Sequence, residues 1–232
     1  MKTPAPYQPV QVIPETLARA VDPIPYWFVI GGQAVRCFAP YRPSRDVDFG
    51  VDSPANLEDL IRQLQTSGDV EIQERAHDTV HLLWNGIKVS AFVLDNLLPH
   101  VEQRRLDVTG ILATKLHTIL DRGLRRDFFD LYLMLERHGL GIVAALGAIR
   151  TVYHAQIEDG LLLRALTYFD DADREAPLPG EGTQDWSAVK EYFLVQVGTL
   201  LVPPTRPLAI QEHIVDVSAP PSPRPSGGAQ LC

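Results

Sequence analysis

The chain has 232 residues, of which 45% are hydrophobic and 22% charged, and this balance is typical of a folded globular protein. Its formal net charge of −8 argues against a protein that coats nucleic acid through a globally basic surface. Two cysteines exclude a disulfide-stapled scaffold, and no apolar stretch reaches the roughly 20 residues of a membrane helix. We therefore expect a cytoplasmic protein without a membrane partner.

Prolines mark both ends of the chain. Four fall within residues 1–14 and seven within 203–232, which predicts a peripheral N-terminal extension and a Pro-rich, disordered tail. Between them we predict an α/β domain over 15–106 and a helical domain over 107–202. The expected fold class is α+β, with a small mixed sheet followed by a helical domain.

The α/β part alternates short apolar runs with turn residues. Strands are predicted at 26–32, 46–51 and 69–75, and a helix at 54–67 that ends before Gly68. Asn85-Gly86 then joins two β-rich runs, and this dipeptide is a strong hairpin signal because both residues tolerate positive φ. A two-residue loop pairs Trp84 with Ile87, and counting outward sets His81 opposite Ser90.

The helical part has a 3.6-residue apolar period. An acidic, proline-bearing stretch over 170–185 interrupts it, and we expect that stretch to be a solvated loop. The predicted helices span 108–121, 125–138, 141–156, 160–169 and 185–201.

Asp46 and Asp48 lie two apart on a predicted strand, so both carboxylates leave the same face, with Cα atoms about 6.6 Å apart. Such a pair suits Mg²⁺ or Mn²⁺, because Mg²⁺ in particular prefers one or two carboxylates plus substrate phosphates. The alternative is a solvated edge strand. Gly31 and Gly32 form a small-residue turn between a strand and a helix, where backbone N–H groups can bind phosphate.

These stretches resemble the nucleotidyltransferase superfamily and, more narrowly, the AbiEii/AbiGii toxin family. The first block reads VIGGQAVRCFAPYRPSRDVDFGV over 29–51, and the second reads KLHTILDRGLRRDFFDLYLML over 115–135. The resemblance extends over roughly 25–200. It implies a nucleotidyltransferase-like domain over 15–106 and a toxin of a toxin–antitoxin or phage-defence system, with a cognate antitoxin as a partner.

The resemblance also implies roles for individual residues. A nucleoside triphosphate would be the substrate, with the 3′ end of tRNA as the acceptor. The catalytic residues would be Asp46, Asp48, Lys115 and Asp127, with the metal on Asp46 and Asp48. Nucleotide or phosphate would bind at Gly31, Gly32, Arg45, Lys115 and Arg122, and further candidates are Asp130, Ser90, His81 and Arg126.

Helical spacing adds detail to the second block. Lys115 and Arg122 are seven apart, so both can point at one ligand. Asp127 and Asp130 share a face opposite an apolar stripe, and we expect that they do not both belong to the core. Asp127 is the stronger candidate, as a base or as a binder of a metal-bound water. An ordinary i,i+4 ion pair with Arg126 is the alternative for Asp130.

One departure from the superfamily concerns its third acid, which aligns with Ser90. A serine cannot act as that base, so His81 or Asp127 would have to substitute, although His81 can equally be a cross-strand packing residue. A nucleotide-binding or interaction module without turnover therefore remains an alternative. Nucleotidyl transfer to a small molecule, such as an antibiotic, is another.

Overall fold

The computed structural model describes residues 5–44, 46–154 and 157–201. The elements in chain order are α1 (Pro9–Val12), α2 (Glu15–Val21), β1 (Phe28–Val29), α3 (Gly31–Phe38), β2 (Val47–Val51), α4 (Pro54–Ser67), β3 (Val70–Arg75), β4 (Thr79–Trp84), β5 (Ile87–Val93), a 3₁₀ helix (Asp95–His100), β6 (Val101–Glu102), β7 (Arg105–Leu106), α5 (Val108–Asp121), α6 (Arg125–His138), α7 (Ile142–Tyr153), α8 (Asp159–Thr167), α9 (Asp170–Arg174) and α10 (Asp185–Leu201). The predicted α+β class is confirmed.

The strands form one mixed sheet with the order β3-β4-β5-β2-β1-β7-β6. β2 pairs with β5 in parallel, whereas β4 and β5 form the antiparallel hairpin predicted from Asn85-Gly86. The register of that hairpin is confirmed, because Trp84 pairs with Ile87 and His81 pairs with Ser90.

One face of the sheet packs on α4 and the other carries polar side chains. Ser53 begins α4 by accepting a hydrogen bond from the Asn56 N–H, and the helix buries an apolar stripe. On β2 and β5, buried residues alternate with the partly exposed Asp48 and Ser90. The polar face is therefore the place to look for a functional site.

The helical half surrounds α5, which contacts α6, α7 and α8. Asp107 caps its start by accepting from the Gly110 N–H at 2.7 Å. Phe128 of α6 packs edge-on against Trp186 and Phe193 of α10. These contacts hold α6 firmly against the rest of the helical half.

Two stretches expected to be peripheral contribute buried side chains. Val12 and Ile13 are each 6% exposed, because α1 packs on α3. Within the expected solvated loop, residues 170–174 form α9, and the Glu181 side chain is 3% exposed in an ion pair with Arg125. Proline content and acidity did not reveal these partners.

Other boundaries differ by a few residues. The first strand shrinks to β1 because Gly31 and Gly32 already belong to α3, and β6 and β7 were not predicted. α7 ends at Tyr153, where His154 adopts a left-handed conformation with φ of 48°. The disordered tail predicted over 203–232 lies outside the described residues, and the boundary near residue 106 stays a prediction.

Within the described ranges, no single helix combines the length and apolar composition needed to cross a membrane. α6 and α7 meet that criterion only as a pair, joined by a bend of 109°.

Candidate active site

The glycine turn and the carboxylate strand lie against each other. Ile30 donates its N–H to the Asp48 carbonyl at 3.0 Å, and α3 begins at the next residue. Gly31 has φ of +58°, and a Cβ built there would lie 2.6 Å from Asp48 Oδ2. Only glycine therefore allows the Asp48 carboxylate to approach the start of α3 so closely.

Asp46 comes directly before β2 and is held through its backbone. Its carbonyl accepts hydrogen bonds from Gln33 Nε2 at 3.1 Å and from Ser44 Oγ at 3.2 Å. Burial raises the pKa of Asp48, the negative charge of Asp46 raises it further, and Lys115 opposes both. The negative charges of the two carboxylates therefore act on each other. Arg45, the phosphate-binding candidate that directly precedes Asp46, lies outside the described residues.

The second block converges on Asp127. Arg122 donates two hydrogen bonds to this carboxylate, from Nε at 3.0 Å and from Nη2 at 3.2 Å. Lys115 Nζ lies 3.6 Å from its Oδ1. Lys115 and Arg122 therefore do point at one group, as their spacing predicted, but that group is an aspartate of the same chain.

Asp130 is held by a second set of partners. Lys115 Nζ lies 2.6 Å from its Oδ2, Arg42 Nη2 lies within 3.2 Å of both oxygens, and the Tyr41 hydroxyl donates at 2.5 Å. No ion pair joins Arg126 to Asp130 among the described residues. The i,i+4 alternative for Asp130 is therefore wrong.

Both aspartates are fully buried, which corrects the expectation that one of them would leave the core. Asp127 and Asp130 are each 0% exposed. A buried carboxylate is tolerated when cations and hydrogen bonds compensate its lost hydration. Burial raises the pKa of Asp127, but the positive charges of Lys115 and Arg122 outweigh burial and hold that pKa below its usual range. Asp127 is consequently a charged, engaged carboxylate, which does not suit the role of a base.

Ser90 and His81 lie beside the carboxylate strand. β2 and β5 place Ser90 in register with Asp48, and β4 places His81 in register with Ser90. The His81 Nδ1 to Ser90 Oγ distance is 2.9 Å. The position aligned with the superfamily's third acid is therefore next to Asp48.

Residues 87–207 match the family model described as "Nucleotidyl transferase AbiEii toxin, Type IV TA system". This match covers more than half of the chain. The chain belongs to the AbiEii nucleotidyltransferase toxin family. The predicted membership is confirmed, although the matched region begins after the glycine turn and the carboxylate pair.

Two comparisons extend the match beyond the family model. An uncharacterized protein of Aquifex aeolicus is 26% identical over 176 residues, which span 72% of this chain and 84% of that protein. The crystal structure of a candidate nucleotidyltransferase from H. pylori superposes with a TM-score of 0.51 at 16% identity, covering 81% of this chain and 94% of that chain. The second likeness supports a nucleotidyltransferase fold.

Three residues of this AbiEii site were not assigned roles from the sequence. Arg42 and Tyr41 bind Asp130, and a Cβ on Gly32 would lie 3.3 Å from Arg42 Nη2 and 3.2 Å from Ser44 Oγ. Arg42 and Ser44 lie in the first family block over 29–51, as does Tyr41, so that block was the available signal.

The residues present fit a divalent cation only when substrate contributes further ligands. Among the described residues, no group of three or more His, Cys, Asp or Glu side chains could hold a metal ion. Asp46 and Asp48 supply two carboxylates, and burial raises the pKa of Asp48, whose charged form a bound cation would stabilise. Two carboxylates completed by phosphate oxygens and water match the preference of Mg²⁺.

Proposed function

We propose that this AbiEii-family chain is a metal-dependent nucleotidyltransferase that moves a nucleotide from a nucleoside triphosphate to the 3′ end of tRNA. The observation that carries the proposal is the approach of Asp48, with Asp46 two residues away, to the glycine turn at the start of α3. Carboxylates that bind a metal and backbone N–H groups that bind phosphate thereby meet at one point.

The metal, held by Asp46 and Asp48, would neutralise charge on the phosphates and lower the barrier to attack at the α-phosphorus. The N–H groups at the start of α3 orient the phosphate tail. Arg122 can add a further contact, because 42% of its side chain is exposed although it also binds Asp127.

Lys115 supports this site through buried contacts with Asp127 and Asp130. Only 4% of its side chain is exposed, and its ammonium lies between Asp127 and Asp130. Burial raises the pKa of Asp48, and the positive charge of Lys115 partly offsets that rise. We propose that Lys115 fixes α5 against α6 and supplies a positive field to the nucleotide, with Arg122 as the direct phosphate contact.

The local charge is compatible with RNA despite the net charge of the chain. Residues 98–126 hold six basic and three acidic side chains, a balance of 6 − 3 = +3, and this stretch includes Lys115 and Arg122. Residues 156–191 hold three basic and nine acidic side chains, a balance of 3 − 9 = −6. An RNA end can be bound locally by the basic stretch. The acidic stretch would suit a protein partner such as a cognate antitoxin.

The test is incubation of the purified protein with each α-labelled nucleoside triphosphate, Mg²⁺ and total tRNA, followed by sequencing of the RNA 3′ ends. We expect one or more added nucleotides on tRNA. In cells, expression should arrest growth, and Asp48→Asn should relieve the arrest. The control Asp78→Asn, which changes an exposed aspartate, should not relieve it. Labelling of an aminoglycoside or a protein instead of tRNA would refute the tRNA acceptor.

A second candidate function is favoured by Ser90. Its position beside Asp48 is where the superfamily carries its third acid, and a site without that acid could bind nucleotide without turning it over. Isothermal titration with each nucleoside triphosphate and Mg²⁺ would then give binding, while no labelled nucleotide would be transferred to RNA, protein or small molecule.

A further inference from the structure

Three polar side chains form a row across the sheet. Asp48 of β2, Ser90 of β5 and His81 of β4 are neighbours in register. Adjacent strands are about 4.8 Å apart, so side chains on the same face can touch. The 2.9 Å contact between Ser90 Oγ and His81 Nδ1 extends this row away from the carboxylate pair.

The two carboxylates of α6 are poorly placed to take a proton from an acceptor hydroxyl. Asp127 and Asp130 are completely buried, and their oxygens bind Lys115 together with Arg122 or Arg42. A base must be reached by the hydroxyl and must have a free lone pair. Ser90 and His81 meet the first requirement, because both are partly exposed on the polar face.

We propose that Ser90 and His81 form a proton relay that replaces the superfamily's third acid in this chain. The acceptor hydroxyl donates a hydrogen bond to Ser90 Oγ, and the Ser90 hydroxyl donates to His81 Nδ1. When the acceptor oxygen bonds to the α-phosphorus, the bond from that phosphorus to the pyrophosphate oxygen breaks. The acceptor proton moves to Ser90, and the Ser90 proton moves to Nδ1. The products are the nucleotidylated acceptor, pyrophosphate and protonated His81.

The surroundings of His81 suit this role. The relay needs the tautomer with hydrogen on Nε2, which leaves Nδ1 as an acceptor. Phe92 packs edge-on to the imidazole at 5.6 Å and restrains its rotation. Glu74 is in register with His81 on β3, so its negative charge can stabilise the imidazolium that forms. Lys88, two residues before Ser90 on β5, carries the same positive charge as the imidazolium, but its side chain is exposed to solvent, which screens that charge.

The inference rests on the proposed transfer and is tested with the same four nucleoside triphosphates, Mg²⁺ and total tRNA. His81→Ala and Ser90→Ala should each lower kcat by about 100-fold, the usual contribution of a general base. The double variant should be no slower than either single variant, because both residues serve one step. KM for the nucleotide should stay unchanged. His77→Ala, an exposed histidine in the turn between β3 and β4, is the matched control and should keep full activity.

Rescue separates proton transfer from packing. Ser90→Asp introduces a carboxylate beside Asp48, so adding it to His81→Ala should restore kcat at least tenfold; repair of packing alone would not do this. Thermal melting of each variant checks that it is folded.

Two results would overturn the relay. If the wild-type protein is active and its His81→Ala and Ser90→Ala variants keep the same kcat, the relay is refuted while the proposed function stands. Failure of Ser90→Asp to raise the kcat of folded His81→Ala removes it as well. A wild-type protein that transfers no nucleotide overturns the proposed function and, with it, the relay.

Discussion

Replacing Lys115 with methionine tests how far the buried cluster depends on this one ammonium. Lys115 Nζ lies 2.6 Å from Asp130 Oδ2 and 3.6 Å from Asp127 Oδ1, and its side chain is 4% exposed against 0% for both aspartates. Methionine keeps the length of the side chain but removes the charge. Arg122 still binds Asp127, and Arg42 still binds Asp130.

Breaking a buried ion pair by removing one partner costs about 3–5 kcal/mol. Because each aspartate keeps an arginine, we expect Lys115→Met to lower the free energy of unfolding by about 3 kcal/mol, the lower end of that range. In a protein of this size that corresponds to a fall in melting temperature of about 6–12 °C. Adding Asp130→Asn removes the carboxylate that has lost its nearest cation, so the double variant should be more stable than Lys115→Met alone.

The assay is urea unfolding at pH 7 followed by circular dichroism. Lys88→Met is the control, because Lys88 is exposed and should change stability by less than about 0.5 kcal/mol. If Lys115→Met unfolds within about 0.5 kcal/mol of the wild-type protein, the cluster does not rely on this ammonium, and the structural role assigned to Lys115 is wrong.

Three further predictions concern stability and its pH dependence. Gly31→Ala should destabilise by about 1–2 kcal/mol and reduce nucleotide binding, because alanine is strained at φ of +58°; Gly147→Ala, in open space on α7, should not. Asp127→Asn should lower stability by about 3 kcal/mol at pH 7. Since the folded pKa of Asp127 lies below its usual range, the wild-type advantage should persist above about pH 4 and vanish as pH falls further; a constant difference down to pH 2 would contradict it. Glu181→Gln, at the buried ion pair, should destabilise more than Glu58→Gln at an exposed one, by urea unfolding.

Local signals in the sequence predicted the elements that depend on local physics. Asn85-Gly86 determined the hairpin register, because a two-residue turn leaves only one pairing of the flanking strands. The start of α4 followed from Pro54, which is compatible with a first helical turn, and the structure adds Ser53 as the cap. The helical spacing of Lys115 and Arg122 also predicted that they would converge on one group.

Long-range compensation of charge could not be predicted in this way. Asp127 and Asp130 looked too polar for the core, yet cations from α5 and from the loop before β2 make their burial tolerable. The same holds for Glu181, whose partner Arg125 lies 56 residues earlier in the chain. Helical periodicity reports which side chains share a face and carries no information about the partners that arrive from elsewhere.

In the proposed function, Asp48 acts in nucleotidyl transfer at the turn beginning with Gly31. The most direct measurement is the rate of labelled nucleotide incorporation into total tRNA by wild-type protein, Asp48→Asn and Asp78→Asn, with Mg²⁺ and with the metal chelated. We expect transfer by the wild-type protein and by Asp78→Asn only when Mg²⁺ is present, and none by folded Asp48→Asn. Undiminished transfer by Asp48→Asn, or by the wild-type protein after chelation, would contradict it.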